Sequence, residues 1–301
     1  MNRQGQSQAS RKSFGRALRG MGKSKISIVK YLNAVPLAWG IIDGPQKQAF
    51  EPVFSTPAEC ADQLARGGVD IGLIPSIEFQ RIKGTRIVPG PAVASSYRVR
   101  SVILVSVVPL WKVKTVAFDK GSRTSVVLSR IIFSDFYHTH PDFRPSEPDL
   151  AAMLAQSDAA MLIGDHALKF MEDNERPEAA RQKTFLRLGP EPLQVFDLVE
   201  RWRFLTGLPF VFAFWAVREG FKDTGLVDLL KQSRDFGAAN IPAIAEKYSS
   251  ELQIKKEFIQ EYLEQNVHYY MDRTCLEALE LFYKKAADVG AIKSVRAPEF
   301  L

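Results

Sequence analysis

The chain has 301 residues, of which 46% are hydrophobic and 25% are charged. This length allows one large or two ordinary domains, and the composition is typical of a soluble globular protein. The sequence contains no run of about 18 uninterrupted apolar residues, so it predicts no transmembrane helix. The formal charge of +6 is modest and indicates no dominant polyanionic partner.

The first 25 residues contain several lysines and arginines and no acidic residue. This segment lacks the apolar core of a signal peptide and the interleaved aromatic residues of a nucleic-acid-binding face. We therefore predict a disordered basic tail over residues 1–23, and we expect neither a nucleic-acid nor a membrane partner. Cys60 and Cys275 lie far apart and show no metal-ligand spacing. They predict reduced, buried thiols in a cytoplasmic protein, and no metal site.

The first ordered stretch is ISIVKYLNAVP, residues 26–36. A β-branched apolar run that ends in a small-residue turn predicts a buried strand leading into a helix. In open α/β sheets, ligands bind at the carboxyl ends of the strands. Asn33 lies at this end, where its side chain could cap the next helix or contact a ligand.

Strands and helices then alternate along the first third of the chain. A helix is predicted at 57–67, because Ser55 or Thr56 can cap it and a Gly-Gly pair follows it. Ser76 ends the strand after this helix, at the sheet edge that also holds Asn33. The other predicted elements are a helix at 37–42 and strands at 51–54, 69–74 and 87–93.

The middle of the chain begins with a long β-branched run at 101–108, and a second such run follows at 208–217. Helical spacing of apolar residues after residue 125 places Ser122–Ser125 in the first turn of a helix, where free backbone amides can hold an anion. Asp165 ends a later strand. The remaining predictions are a strand at 115–118, a proline-containing loop at 138–148, a helix at 150–156 and helices throughout the C-terminal part.

This alternation predicts an α/β fold with mainly parallel sheets. The two long β runs suit strands that cross between two lobes, once in each direction. We therefore expect a two-lobed clamp with the ligand between its lobes. The expected first lobe comprises residues 24–101 and 216–301, and the expected second lobe comprises residues 102–215.

Six motifs occur in a characteristic order between residues 25 and 290: YLNAVPL, GVDIGLIPSIEF, RSVILVS, SRTS, MLIGDHAL and WRFLTGLPFVFAFWAV. In this order they resemble the chorismate dehydratase family of the futalosine route to menaquinone. The resemblance implies a type II periplasmic-binding-protein fold used as an enzyme. It also implies a lyase that removes water from chorismate to give 3-[(1-carboxyvinyl)oxy]benzoate, without a metal or organic cofactor.

The same resemblance implies catalytic roles for Asn33 and Ser101. His166 departs from it, because this position is usually small in the family; a larger ring could narrow the pocket or turn outward. Chorismate carries two carboxylates, so anion-binding groups are expected around it. The candidate substrate-binding residues are Ser76, Arg100, Ser122, Thr124, Ser125 and Asp165.

Loss of the C3 proton and the C4 hydroxyl makes the ring aromatic, so the enzyme has mainly to orient the substrate and stabilise charge. We expect Asn33 to bind near the reacting carbons and Ser101 to assist at the proton or the hydroxyl. No protein base stands in the motifs, so a carboxylate of the substrate is the expected proton acceptor.

Each candidate residue also has a purely structural explanation. Asn33 can be a turn or cap residue, Ser101 a small residue in a strand, and the hydroxyls of Ser122–Ser125 ordinary helix caps. Two other functions fit the same fold. A non-enzymatic small-anion-binding protein would carry an export signal, and a LysR-type effector domain would follow a helix-turn-helix segment. The oligomeric state stays open.

Overall fold

The computed structural model describes residues 23–175, 193–222 and 225–301. Nearly all of the predicted basic tail lies outside these residues. The described part contains strands that form two sheets, six strands in one and five in the other. In chain order the strands are β1 Ser24–Val29, β2 Phe50–Ser55, β3 Ile71–Pro75, β4 Thr85–Ser95, β5 Val102–Ser106, β6 Thr115–Asp119, β7 Asp142–Ser146, β8 Ala159–Ile163, β9 Gln194–Asp197, β10 Phe210–Arg218 and β11 His268–Tyr270.

Helices connect these strands and cover the faces of the sheets, and most of the predicted ones are present. In chain order the described helices are α1 Val35–Asp43, α2 Pro57–Ala65, α3 Glu78–Arg81, α4 Thr124–Tyr137, α5 Leu150–Gln156, α6 Gly164–Glu175, α7 Leu198–Thr206, α8 Leu226–Ala239, α9 Ile241–Leu252, α10 Lys256–Glu261 and α11 Arg273–Asp288. None of them is long and apolar enough to cross a bilayer.

The strand order is β11-β4-β10-β3-β1-β2 in the first sheet and β7-β6-β8-β5-β9 in the second. β1 runs parallel to β2 and β3, whereas β10 runs antiparallel to both of its neighbours, β3 and β4. In the second sheet β5 is likewise antiparallel to β8 and β9. The prediction of mainly parallel sheets is therefore wrong. Both sheets are mixed, because the strands next to the two points where the chain passes between the lobes are antiparallel to their neighbours.

The chain passes between the two sheets at residues 96–101 and again at 207–209. Ser95 pairs with Phe210, so the two crossings lie side by side and form the hinge. Each long β run stays within one sheet, β5 in the second and β10 in the first. Residues 210–215 consequently belong with the first sheet, although we expected them in the second lobe. We propose that the first lobe resumes at Phe210.

Two segments contain strands where other structure was predicted. The expected loop at 138–148 includes β7, which is an edge strand of the second sheet. An edge strand tolerates Pro145, because one row of its backbone amides has no ladder partner. The C-terminal part, expected to be helical throughout, contributes β11 at the edge of the first sheet.

Local sequence signals and close packing fix the helices around β1. Thr56 accepts a hydrogen bond from the Glu59 amide while the Glu59 carboxylate accepts one from the Thr56 amide, a capping box that starts α2 where predicted. α1 packs closely on α8, since a Cβ at Gly237 would fall only 1.9 Å from the Pro36 carbonyl oxygen. Cys60 is buried in this region and forms no disulfide.

Candidate active site

A cavity of about 60 Å³ lies between the lobes, at the carboxyl ends of β1, β3 and β8. Ligand pockets commonly hold at least about 300 Å³, so this cleft is closed and has to widen to admit a substrate. Backbone and apolar side chains form most of its wall. The residues that line it are Val29, Tyr31, Asn33, Ala34, Pro57, Leu73, Pro75, Val93, Val102, Gly121, Ser122, Arg123, Thr124, Ser125, Ile163, Gly164, Phe212 and Ala213.

Asn33 lies in the wall contributed by the first lobe, on a short 3-10 turn, Leu32–Ala34, between β1 and α1. The residue that caps α1 is Ala34, without a side-chain hydrogen bond. Asn33 is half-buried, and its side chain is hydrogen-bonded to none of the residues that the structure describes. Its amide therefore remains available to a ligand, and the capping explanation does not apply.

Ser122, Thr124 and Ser125 form the opposite wall, from the second lobe. α4 begins at Thr124, so Ser122 precedes the helix instead of lying in its first turn as predicted. The Ser122 hydroxyl is buried and has no partner among the described residues. A buried polar group without a partner is costly unless a ligand or water completes its hydrogen bonds. This hydroxyl and the helix start are suited to an anion.

Ser76 lies just behind the cavity and does not line it. Its hydroxyl donates to the Val211 carbonyl at 2.8 Å and lies 3.4 Å from the Thr124 hydroxyl. The Ile77 amide donates to the same Thr124 oxygen at 3.3 Å. In this structure Ser76 thus connects the lobes, and its predicted contact with substrate is not supported by the geometry.

Ser101 is fully buried behind the wall, beside the lining residue Val102. Its hydroxyl accepts a hydrogen bond from Tyr262 at 2.8 Å, and its carbonyl accepts one from the Gly164 amide at 2.8 Å. The structure therefore brings Ser101 next to the site through Val102 and Gly164, and does not place its side chain in the cavity.

Arg100 does not line the cavity either. Its guanidinium pairs with Glu175 at 3.3 Å and Glu261 at 2.9 Å, and it lies 5.1 Å from the centre of the Phe258 ring. The predicted contact of Arg100 with a substrate carboxylate is therefore not supported by this geometry, because carboxylates of its own chain already neutralise the guanidinium.

Asp165 begins α6 and accepts a hydrogen bond from the Leu32 amide at 3.0 Å. It lies outside the cavity, so a direct contact with substrate is not supported. Burial raises the pKa of this carboxyl group to about 6, and the Leu32 amide opposes the rise. The next residue, His166, is exposed and does not line the cavity. Of the two possibilities for its ring, the outward one is correct.

Two cavity residues with polar or charged side chains, Tyr31 and Arg123, were not among the predicted site residues, although both lie inside the motifs. Tyr31 belongs to the YLN motif, and burial followed by the nearby carboxylate of Asp119 raises its pKa well above the ordinary value. Its phenol therefore stays protonated. Arg123 belongs to the SRTS motif and donates to both carboxylate oxygens of Asp62, at 2.8 and 2.9 Å, and to Glu78 at 2.9 Å.

The polar groups of the cavity suit an anionic ligand. Among the described lining residues, none carries a carboxylate or an imidazole, and the guanidinium of Arg123 is already paired with Asp62 and Glu78. The described residues also hold no cluster of three or more metal-ligating side chains. Hydroxyls, an amide and a helix start in an apolar wall can bind and orient an anion, and they offer no strong general base.

Two mixed α/β sheets, joined by two adjacent crossings and closed on a cavity, define a two-lobed clamp of the periplasmic-binding-protein type. Residues 24–288 match the protein-family model for menaquinone biosynthesis. The chain belongs to this menaquinone biosynthesis family. It is similar to a chorismate dehydratase from Thermus thermophilus, with 29% identity over 264 residues that cover 85% of this chain and 93% of that protein.

Solved structures show the same fold at low sequence identity. A structural-genomics protein from Archaeoglobus fulgidus matches with a TM-score of 0.69 and 15% identity, over 90% of this chain and 98% of its own. A Candida albicans protein with the generic periplasmic-binding-protein fold matches at 0.64, with 12% identity and 92% of both chains covered. The aliphatic sulphonate binding protein of Escherichia coli matches at 0.59, with 13% identity and 94% of both chains covered.

Proposed function

We propose that this protein is a chorismate dehydratase: a hydro-lyase that removes water from chorismate to give 3-[(1-carboxyvinyl)oxy]benzoate in menaquinone biosynthesis. The observation that carries the proposal is the closed cavity of a family member, which places an unpaired amide opposite an unpaired hydroxyl at a helix start. We place the reaction in the cytoplasm, where a biosynthetic enzyme of this kind would meet its substrate.

The walls suit a ring that carries two carboxylates. One carboxylate binds the Ser122 hydroxyl and the free backbone amides at the start of α4. Arg123 lies in the same wall, where its ion pairs with Asp62 and Glu78 hold it in place. Asn33, on the facing lobe, hydrogen-bonds the substrate near the carbons that react. Apolar residues fill the remaining wall and exclude water, which strengthens each of these polar contacts.

The elimination removes a proton from C3 and hydroxide from C4, and the two leave as one water molecule. Tyr31 stays protonated and does not serve as the base. Since the described lining contains no carboxylate or imidazole, a carboxylate of the substrate takes the proton. The hydroxide leaves toward the hydrogen-bond donor Asn33, whose amide stabilises its charge. Aromatisation of the ring drives the step.

The test is the disappearance of the diene absorbance of chorismate, with the product identified by mass spectrometry. We expect turnover by the wild-type protein without added metal. Asn33→Ala should lower kcat about a hundredfold, the usual effect of removing one donor to developing charge. Asn174→Ala is the control, because among the described residues that half-buried amide bonds only to the Phe170 carbonyl, outside the cavity. Equal kcat in the two variants would remove Asn33 from the mechanism.

The alternative is a protein of the same fold that binds a small anion without converting it. It is favoured by the resemblance to binding proteins such as that for aliphatic sulphonates. Isothermal titration separates the two functions when it is combined with the absorbance assay. Tight binding of chorismate that is recovered unchanged would establish a binder, whereas recovery of the dehydrated product would establish the enzyme.

A further inference from the structure

The side chain of Tyr31 crosses from one lobe to the other. It follows β1 of the first sheet, but its ring packs on Gly164, at the end of β8 in the second sheet. A Cβ atom at Gly164 would stand 2.9 Å from the ring carbons, and one at Gly121 would stand 3.5 Å from the hydroxyl. Both glycines therefore form a seat into which the ring fits.

Gly164 is suited to this seat for two independent reasons. Its φ is 60°, a left-handed conformation that favours glycine, and a side chain here would overlap the ring. Its amide donates to the Ser101 carbonyl at 2.8 Å, which fixes the peptide under the ring. The Tyr31 hydroxyl lies near the Asp119 carboxylate of the second lobe. The second lobe thus faces the ring at both of its ends.

The two residues after Tyr31 extend this contact to the reaction site. The Leu32 amide donates to Asp165 of the second lobe at 3.0 Å. Asn33 is next and shares the short 3-10 turn with Leu32. Because the Ala34 amide donates to the Tyr31 carbonyl at 3.0 Å and so closes this turn, the place of Asn33 relative to the second lobe follows from the seating of Tyr31.

We propose that Tyr31 is the positioning residue for Asn33, and that its docking on Gly164 sets Asn33 opposite Ser122 when the lobes close. The catalytic consequence rests on the proposed dehydration, whereas the contact itself does not. The cavity is too small for a substrate to enter while the ring is seated. Opening therefore releases Tyr31, and closure over the bound substrate returns Asn33 to its working position, so chemistry follows closure.

Gly164→Ala tests the seat, and Gly290→Ala is a matched control. Gly290 has a φ of 70°, so alanine meets similar backbone strain there, but no described atom lies within 4 Å of its Cβ position. We expect Gly164→Ala to lower kcat for chorismate about a hundredfold, with a smaller change in KM, because misplacement of about 1 Å costs that much. Gly290 follows the last described helix, away from the hinge, so Gly290→Ala should keep the wild-type kcat.

Variants of Tyr31 separate the ring from the hydroxyl. Tyr31→Phe retains the ring and should retain most of the activity, whereas Tyr31→Ala should lose as much kcat as Gly164→Ala. In the Tyr31→Ala background the added Gly164→Ala change should cost no further kcat, since the contact it disturbs is already gone. Full additivity of the two effects would contradict the seat.

Hydrogen exchange at the Leu32 amide provides a readout that needs no turnover. In the protein without substrate, Gly164→Ala and Tyr31→Ala should accelerate this exchange at least about tenfold, because the cross-lobe bond to Asp165 opens more often. Gly290→Ala should leave it unchanged. If the wild type does not dehydrate chorismate, the proposed function fails, but the exchange still decides the seat. Unaltered exchange in both seat variants would overturn the inference.

Discussion

The hydroxyl of Tyr262 donates a 2.8 Å hydrogen bond to the hydroxyl of Ser101, and both side chains are fully buried. Burial raises the pKa of Tyr262 well above its ordinary value, so the phenol stays protonated and acts as the donor. The serine proton is then free to be donated elsewhere. Tyr262 opens a π-helical turn, Tyr262–Asn266, a geometry that is frequent at functional sites.

Tyr262→Phe leaves the Ser101 oxygen buried without this donor. We expect the free energy of unfolding to fall by about 1–3 kcal/mol, the usual cost of one unsatisfied buried group. The double variant Tyr262→Phe with Ser101→Ala should regain part of this loss, because both polar partners are then removed. Urea denaturation measures the free energy of unfolding of the single and the double variant. Tyr97→Phe is the control, since Tyr97 is 68% exposed.

Ser122→Ala removes the unpaired hydroxyl from the cavity, and Ser129→Ala is its matched control. Ser129 is also buried without a hydrogen-bond partner among the described residues, but it does not line the cavity. Both variants should keep or slightly increase the stability, because no hydrogen bond is lost. Only Ser122→Ala should raise KM for chorismate, by about tenfold for the loss of roughly 1.4 kcal/mol of binding. An equal rise of KM in both variants would contradict the proposal that Ser122 binds a substrate carboxylate.

Arg123→Met breaks the ion pairs that join α4 to Asp62 and Glu78 across the cleft. We expect the free energy of unfolding to fall by about 1–3 kcal/mol, because Glu78 is almost fully buried and loses a charged donor. KM should rise as well, since Arg123 lines the cavity and its ion pairs hold this wall in place. Arg144→Met removes an exposed pair with Asp142 and should change stability by less than about 1 kcal/mol. Equal losses of unfolding free energy in the two variants would show that the cross-lobe ion pairs stabilise the protein no more than an exposed pair does.

Burial raises the pKa of Asp165 from 3.8 to about 6. The contribution of this residue to the free energy of unfolding therefore depends on pH. The folded protein holds this proton more tightly than the unfolded chain, so the contribution is fully present below pH 4 and is lost as the pH rises through 6. Relative to Asp165→Asn, the wild type should lose on the order of 1–3 kcal/mol of unfolding free energy over that interval. Denaturation midpoints at several pH values measure the difference.

Asp272 should show the opposite dependence of stability on pH in the same experiment. The Cys275 amide lowers the pKa of the Asp272 carboxyl group, which caps α11. Its stabilising contribution is therefore present above its ordinary pKa and is lost as the pH falls. Relative to Asp272→Asn, the wild type should lose stability on acidification. The same slope for both residues would contradict at least one of these assignments.

Several features of the fold and the site followed from local sequence patterns. Periodicity and capping residues placed α2 and α5 at nearly their observed bounds. The end of β1 placed Asn33 at the sheet edge where ligands bind, either as a helix cap or as a ligand contact. The SRTS motif predicted a helix start that can hold an anion, and both segments line the cavity. These patterns succeed because hydrogen bonds and burial within one turn or one strand depend on neighbouring residues.

Other features were inaccessible to such patterns. The insertion of β10 between β3 and β4, and the neutralisation of Arg100 by Glu261, join residues far apart in the chain. No local pattern reports which strand pairs with which, or which carboxylate reaches a given arginine. The same limit applies to Tyr31, whose motif was evident but whose seat on Gly164 exists only after the two lobes meet.

The sequence by itself determined the alternating α/β elements, the two-lobed clamp and the place of Asn33 at its cleft, because these depend on periodicity and on the order of motifs. Only the tertiary structure decided that Ser101 lies behind the wall, that Arg100 is paired elsewhere and that Tyr31 and Arg123 line the cavity. The reason is physical. A side chain's role in a cleft depends on what the opposite lobe presents to it, and that surface is assembled from distant parts of the chain.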